Sequence, residues 1–396
     1  MNPKRKDSLL VIKILLLAGI LAISLPVAAS TQDLPPLPEG CVPGILPDQV
    51  NPPQLILTCV PVSPVEFNGT LFLYAHGYVK PQKPLALPLG ELEAFFPLIG
   101  SLQGSGFAFG TTSYSTNGVA FEQAENDLNA LVNHFKSLLG ESLKKVLLVG
   151  ASEGGLITTM MIEKHPEIYY GGLAMCGPNA GMPYQVRYLA DFRLAFDYFF
   201  PDIIPLDGIY DDTPVLLSEW EVAEGIEDDI IGAINENLPK AAQLFNVTTA
   251  ATNPENPGQS AADILSFSVL GMNNAVEKAG GRPYGNKFRW YWGSEDDKAL
   301  NAGIERVRSD LEALLYMHRF YRTTGKLERP LVTLHNIFDD QVPFRHEVIY
   351  RIKVALRGRS HNLVSVPVSG FGHCSFTPTQ VLGALFLLDF MSSNVK

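Results

Sequence analysis

Positive charge is scarce in this chain. Lys and Arg total 30 against 41 Asp and Glu, a formal net charge of −11. Nucleic acids and anionic membranes select basic surfaces, so the balance argues against either as a partner. No low-complexity block interrupts a globular composition of 46% hydrophobic and 18% charged residues, which excludes an extended or disordered chain. No internal repeat is visible, which excludes a solenoid. No metal-ligand spacing stands out. The acidic clusters Glu227–Asp229 and Glu295–Asp297 read as solvated loops. No cofactor signature is present either. At 396 residues the chain can form one large domain with insertions, or two domains.

The N-terminus has the make-up of a signal peptide over residues 1–30. Lys4-Arg5-Lys6 form a basic start, Lys13 precedes the apolar run Ile14 to Leu25, and Val27-Ala28-Ala29-Ser30 offers small residues for cleavage. The apolar run is short for a membrane span, although an uncleaved anchor is the competing reading. No Cys follows closely enough for lipid attachment. The expected location is secreted or periplasmic, with no stable membrane span after cleavage. Four Cys remain: Cys41, Cys59, Cys176 and Cys374. In an oxidising compartment they suggest two disulfides, with three pairings open. Cys41–Cys59 is favoured, closing a Pro-rich loop. Cys176–Cys374 follows if both lie at one edge of a sheet; otherwise Cys176 is a buried thiol.

The stretch "KKVLLVGASEGGLITTMMIEKH" (Lys144–His165) carries the chemistry. Val146 to Val149 reads as a buried strand. Leu156, Met160, Met161 and Ile162 begin a helical run. Between them Gly150, Ser152 and Gly154 fit G-x-S-x-G. Strand, sharp turn and helix are what a nucleophile elbow requires: small residues flank a strained turn, and the serine Oγ stands at a helix N-terminus.

Strands are also expected around Leu55–Cys59, in Gly69–Val79, in Gly106–Ser115 and in Gly171–Pro178. A helix with Phe121, Ala124, Leu128, Leu131, Val132, Phe135 and Leu138 on one face ends at Gly140. The alternation predicts a mostly parallel sheet with helices on both faces. From 181 to 325 the rhythm gives way to helical stretches such as "YLADFRLAFDYFF" and "RVRSDLEALLYMHRFY", read as an inserted cap or lid. The core therefore divides into residues 31–180 and 326–396. The second part contains strand "PLVTLHNIF", helix "RHEVIYRIKVAL", strand "LVSVPVS" and helix "TQVLGALFLLDFM".

A serine needs a base, and the base needs an orienting acid. His373 follows the last strand in a Gly-flanked loop, and Asp339-Asp340 follow the strand before it. Asp339 is preferred over Asp340. The oxyanion requires two backbone donors. The N–H of Glu153 and, from the loop "AHGY", the N–H of Tyr78 suit that role.

"GASEGG", "AHGY", "DDQVP" and "GFGHCSF" together resemble the α/β-hydrolase superfamily, over roughly residues 65–180 and 325–396. The chain is similar to secreted bacterial carboxylesterases and lipases, including some active on polyesters. The resemblance implies a serine ester hydrolase that acts on small-molecule or polymeric esters and needs no cofactor or metal. Feruloyl-esterase and tannase-type enzymes also place a Cys after the catalytic His, bonded to a Cys beside the serine. This chain has Ala151 and Glu153 there. In the expected cap, Phe192, Phe196 and Phe199 recur at helical spacing. With Tyr78 they are candidates for an apolar substrate wall, or else they form the core of the cap. A peptidase of the same fold, or a binding protein that keeps it, are the competing functions. Oligomeric state is not legible.

Overall fold

Runs of buried apolar residues set the frame of the molecule. The computed structural model describes residues 36–47, 52–204 and 225–393; the expected signal peptide lies outside them. Eight strands form one sheet: β1 (Cys41–Leu46), β2 (Gln54–Cys59), β3 (Thr70–Ala75), β4 (Ala108–Thr112), β5 (Lys145–Ala151), β6 (Gly171–Met175), β7 (Leu331–Phe338) and β8 (Leu363–Phe371). Their order is β1-β2-β4-β3-β5-β6-β7-β8. β2 runs antiparallel to both β1 and β4, and the remaining pairs are parallel. Parallel pairing brings the C-terminal ends of β3, β5, β6, β7 and β8 to one edge.

Helices cover both faces. They are α1 (Leu89–Leu92), α2 (Phe96–Gly104), α3 (Phe121–Leu139), α4 (Glu153–Lys164), α5 (Met182–Phe199), α6 (Ile226–Glu236), α7 (Leu238–Thr248), α8 (Pro257–Ala279), α9 (Asp297–Gly303), α10 (Leu311–Phe320), α11 (Arg345–Leu356) and α12 (Pro378–Ser393). In β3, Leu71, Leu73 and Ala75 join the core shared with α3 and α4, while Phe72 and Tyr74 join the core under α2 and α12. This period-2 split places a separate apolar layer on each side of the sheet. Each fully buried Leu or Phe contributes roughly 1.5–3 kcal/mol relative to exposure. The strand order and the two helical layers make this the α/β-hydrolase fold.

The expected helix face on α3 buries Phe121 through Phe135, but Leu138 is exposed in the last turn. Between Met175 and Leu331 the described residues contain no strand. There α5 packs on α7 and α8, and its apolar residues belong to the same core as α3 and α4. Phe121 and Tyr321 meet edge to face across this junction, with centroids 4.9 Å apart. Of the stretch expected to be helical from Arg306, only Leu311–Phe320 is helix. Arg306 instead donates to the carbonyls of Asn286, Arg289 and Asn301, and Val307 N–H donates to the Asn286 side chain. These bonds hold the preceding residues out of the helix. Strand β1 was not expected. It is an edge strand containing Pro43, which such a position tolerates.

Candidate active site

The turn after β5 is built by glycines. A Cβ at Gly150 would strike the Gly154 carbonyl, one at Gly154 would strike the Ala75 carbonyl, and one at Gly155 would come within 2.8 Å of the Met175 oxygen. Only this clearance allows α4 to start directly beneath the strand ends. Ser152 sits at φ 55° and ψ −122° as the residue before α4, a conformation costly for a non-glycine residue. The result is a hydroxyl held above the sheet edge.

His373 lies in the loop between β8 and α12. Its Nε2 is 2.8 Å from Ser152 Oγ, and its Nδ1 is 2.8 Å from Asp339 Oδ2. Asp339 follows β7 and is fully buried. Its other oxygen accepts the N–H groups of Gln341 and Val342, at 3.1 and 2.8 Å. Burial opposes a charge on Asp339, but His373 and His335 outweigh it and hold the carboxyl down at about 2. Ser152, His373 and Asp339 thus form one continuous hydrogen-bonded line, with both nitrogens of the imidazole engaged. Asp340 makes different contacts: its carboxyl is hydrogen-bonded with Ser260, its backbone carbonyl accepts from Tyr188, and burial raises its carboxyl above the usual value.

The loop after β3 faces the same serine. Gly77 lies where a Cβ would be 3.4 Å from Ser152 Cβ. The Gly77 N–H points to Glu91, whose carboxylate also accepts from Tyr74. The Tyr78 N–H and the Glu153 N–H, the latter at the first position of α4, donate to no group among the described residues. Both N–H groups thus lie in segments next to Ser152, one in the loop after β3 and one at the first turn of α4. His76 is buried, stacked on Tyr114 with ring centroids 4.0 Å apart, and burial lowers its affinity for a proton.

A narrow cavity of about 60 Å³ opens at Ser152 and His373. Tyr78, Met182, Leu189, Phe267 and Val342 give it apolar walls; Glu153, Gln185 and Gln341 also line it. Phe192, Phe196 and Phe199 are not in this lining: they are buried in the packing of α5 against its neighbours. The helix turns a different stripe, Met182–Gln185–Leu189, toward the cavity. The carboxyl of Glu153 accepts the Ala120 N–H at 2.8 Å, and burial pushes it up to about 8.

Several groups at the site were not singled out in the sequence. Asn336, buried in β7, brackets the His373 loop: its amide donates to Ser375 O and accepts from Ser375 N–H, each at 3.0 Å. His335, fully buried, lies 3.4 Å from both Asp339 and Glu347. Burial favours its neutral ring, but the two carboxylates outweigh that and raise it to about 10. The available signal was a polar pair, His335-Asn336, inside an otherwise apolar strand. Both expected disulfides form, Cys41–Cys59 and Cys176–Cys374. Cys176, His373 and Cys374 are the one His, Cys, Asp and Glu grouping of ligand size among the described residues, and its sulfurs are bonded to each other.

The chain matches no known family model, and no curated protein sequence matches it. Solved structures resemble it at low identity. The esterase Pf2001 from Pyrococcus furiosus is 12% identical, with 89% of this chain and 92% of that one covered at a TM-score of 0.45. Est1E from Butyrivibrio proteoclasticus is 12% identical, with 89% and 98% covered at 0.42. An acylaminoacyl peptidase in complex with Z-Gly-Gly-Phe-chloromethyl ketone is 10% identical, with 90% of this chain but 42% of that one covered at 0.46.

Proposed function

We propose that the protein is a serine ester hydrolase. The observation that carries this reading is the hydrogen-bonded line from Ser152 Oγ through His373 to Asp339, beside two free backbone N–H groups. Ser152 attacks the ester carbonyl while His373 Nε2 takes its proton. The buried carboxylate of Asp339 stabilises the imidazolium that forms. The N–H groups of Tyr78 and Glu153 receive the oxyanion. The tetrahedral intermediate collapses, the C–O bond to the alcohol breaks, and His373 returns the proton to the departing alkoxide. Water, deprotonated by His373, then attacks the acyl-serine; the bond from the acyl carbon to Ser152 Oγ breaks, His373 returns the proton to Oγ, and the acid is released. Each step is complete with the chain's own groups.

The cavity supports a preference for a short acyl chain, since its apolar walls enclose little space. We read the helical segment 181–325 as a cap, because α5 and α8 supply the wall opposite Ser152. Two disulfides support an oxidising destination such as the periplasm or the medium. The test is hydrolysis of p-nitrophenyl esters from acetate to palmitate, with Ser152→Ala as control. Serine-dependent turnover, highest for short chains, is expected. Turnover of chromogenic peptide amides in preference to esters would replace this reading with a peptidase.

A further inference from the structure

The segment Lys287–Gly293, "KFRWYWG", alternates in a way unrelated to the candidate active site. Phe288, Trp290 and Trp292 are 94%, 51% and 68% exposed. Between them Arg289 and Tyr291 point inward. Tyr291 is buried and donates to Asp191, which also pairs with Arg289. The backbone of Tyr291 is gripped from both directions by Asn301, at 2.8 and 2.6 Å, and Arg306 donates to the Arg289 carbonyl at 2.6 Å. Buried hydrogen bonds thus hold the inward side of the segment while three large aromatic rings face solvent. Single exposed apolar residues are ordinary, but three on one pinned segment form a patch that needs a partner.

On the Phe288 side its surroundings are cationic, while exposed Glu295 and Asp296 follow Trp292 by three and four residues. An open cavity of about 590 Å³ beside Phe288 is lined by Arg187, Lys287, Arg289 and Arg308, and by no carboxylate among the described residues. Arg187 and Arg289 share the single acid Asp191. Lys287 and Arg308 have no ion pair among the described residues. A second cavity, sharing Arg187 and Arg289, is lined by Trp290 and Trp292. The net charge of −11 averages over the whole chain, whereas a surface senses charges within about 8–10 Å.

We propose that this face docks on an anionic lipid surface, with Phe288, Trp290 and Trp292 entering the headgroup layer and Lys287, Arg308 and Arg187 meeting phosphates. Aromatic rings whose one side is apolar prefer that depth, and basic residues add attraction to anionic headgroups. A small free anion would account for the cations but not for the rings. The proposal is independent of the role given to Ser152.

The experiment uses the full chain with vesicles of phosphatidylcholine alone, or mixed with phosphatidylglycerol, carrying brominated acyl chains. Quenching of Trp290 and Trp292 is read against a Trp290→Ser/Trp292→Ser variant that retains only Trp220. Expected are quenching by the mixed vesicles, little by the neutral ones, and decline with salt. Lys287→Gln with Arg308→Gln should weaken binding about 25-fold, roughly fivefold for each cation. Hydrolysis of soluble p-nitrophenyl acetate and the melting temperature should stay unchanged in these surface variants. Equal signals from wild type and the Trp variant would overturn the proposal. So would binding of inorganic phosphate without vesicle binding. A dimer in sedimentation velocity that the Trp substitutions dissolve would assign the patch to a second copy instead.

Discussion

Cys374, the residue after His373, is disulfide-bonded to Cys176, the residue after β6. The bond ties the His373 loop to the strand beside the Ser152 turn, across 198 residues of sequence. Asn336 holds the other side of that loop. Replacing both Cys176 and Cys374 by Ser should lower kcat roughly tenfold to a hundredfold through misplacement of the imidazole. It should also cost about 2–5 kcal/mol in stability. Steady-state kinetics and denaturant melts check this, with Cys41→Ser/Cys59→Ser as the control expected to keep its kcat. An unchanged kcat in the first variant would contradict the tether.

Asp339 and Asp340 make separable predictions. Asp339→Asn removes the charge that orients and stabilises His373 and should reduce kcat by about 10⁴. Asp340→Asn should change kcat little, because that side chain does not touch His373. Equal losses in both would reject the assignment.

Ser152 is held at positive φ. Ser152→Ala keeps this strain and should lose hydrolysis at nearly native stability. Ser152→Gly should also lose hydrolysis, yet gain about 1 kcal/mol as the strain is relieved. Guanidine denaturation of the three proteins decides; a Gly variant less stable than the Ala variant would disprove the strain argument.

His335 predicts a pH dependence. Its folded value of about 10 lies above the ordinary 6.5. The stabilisation from its charge is therefore complete below about 6.5 and is lost as pH rises toward 10, on the order of a few kcal/mol. His335→Gln should be less stable than wild type at pH 6 and flatter between pH 6.5 and 10. Parallel stability profiles of variant and wild type over that range would rule this out.

Glu153 acts in a lower window. Its folded value of about 8 lies above the ordinary 4.5, because burial penalises its charge. The native state then holds a proton that the unfolded state has released. Stability falls from about pH 4.5 to 8 and levels beyond. Glu153→Gln mimics the protonated acid and should flatten this decline while keeping the backbone N–H. Melts at pH 5 and pH 8 measure it; a steeper decline in the Gln variant would refute the burial argument.

Much of the frame was legible because its residues obey local periods. Val146–Val149 and Leu331–Leu334 have no alternative to burial, and the Gly-Ala-Ser-Glu-Gly-Gly turn states its own geometry. Ser152, Asp339 and His373 could be proposed because each ends a strand that parallel pairing carries to one edge. Long-range partners left less trace. Which stripe of α5 would face the cavity depends on its packing against α7 and α8, so Leu189 could not be preferred over Phe192 by spacing. β1 was hidden by Pro43 and Gly44, whose local preferences oppose a strand until β2 supplies the pairing. His335 and Glu347 are 12 residues apart in sequence, and only the β7–α11 packing brings them together.

The most direct test of the central claim is covalent labelling with a fluorophosphonate, followed by mass spectrometry of the modified peptide. The account predicts one adduct, on Ser152, that is lost in His373→Ala while the fold persists by circular dichroism. No adduct on the folded wild-type protein, or an adduct on another serine, would contradict it.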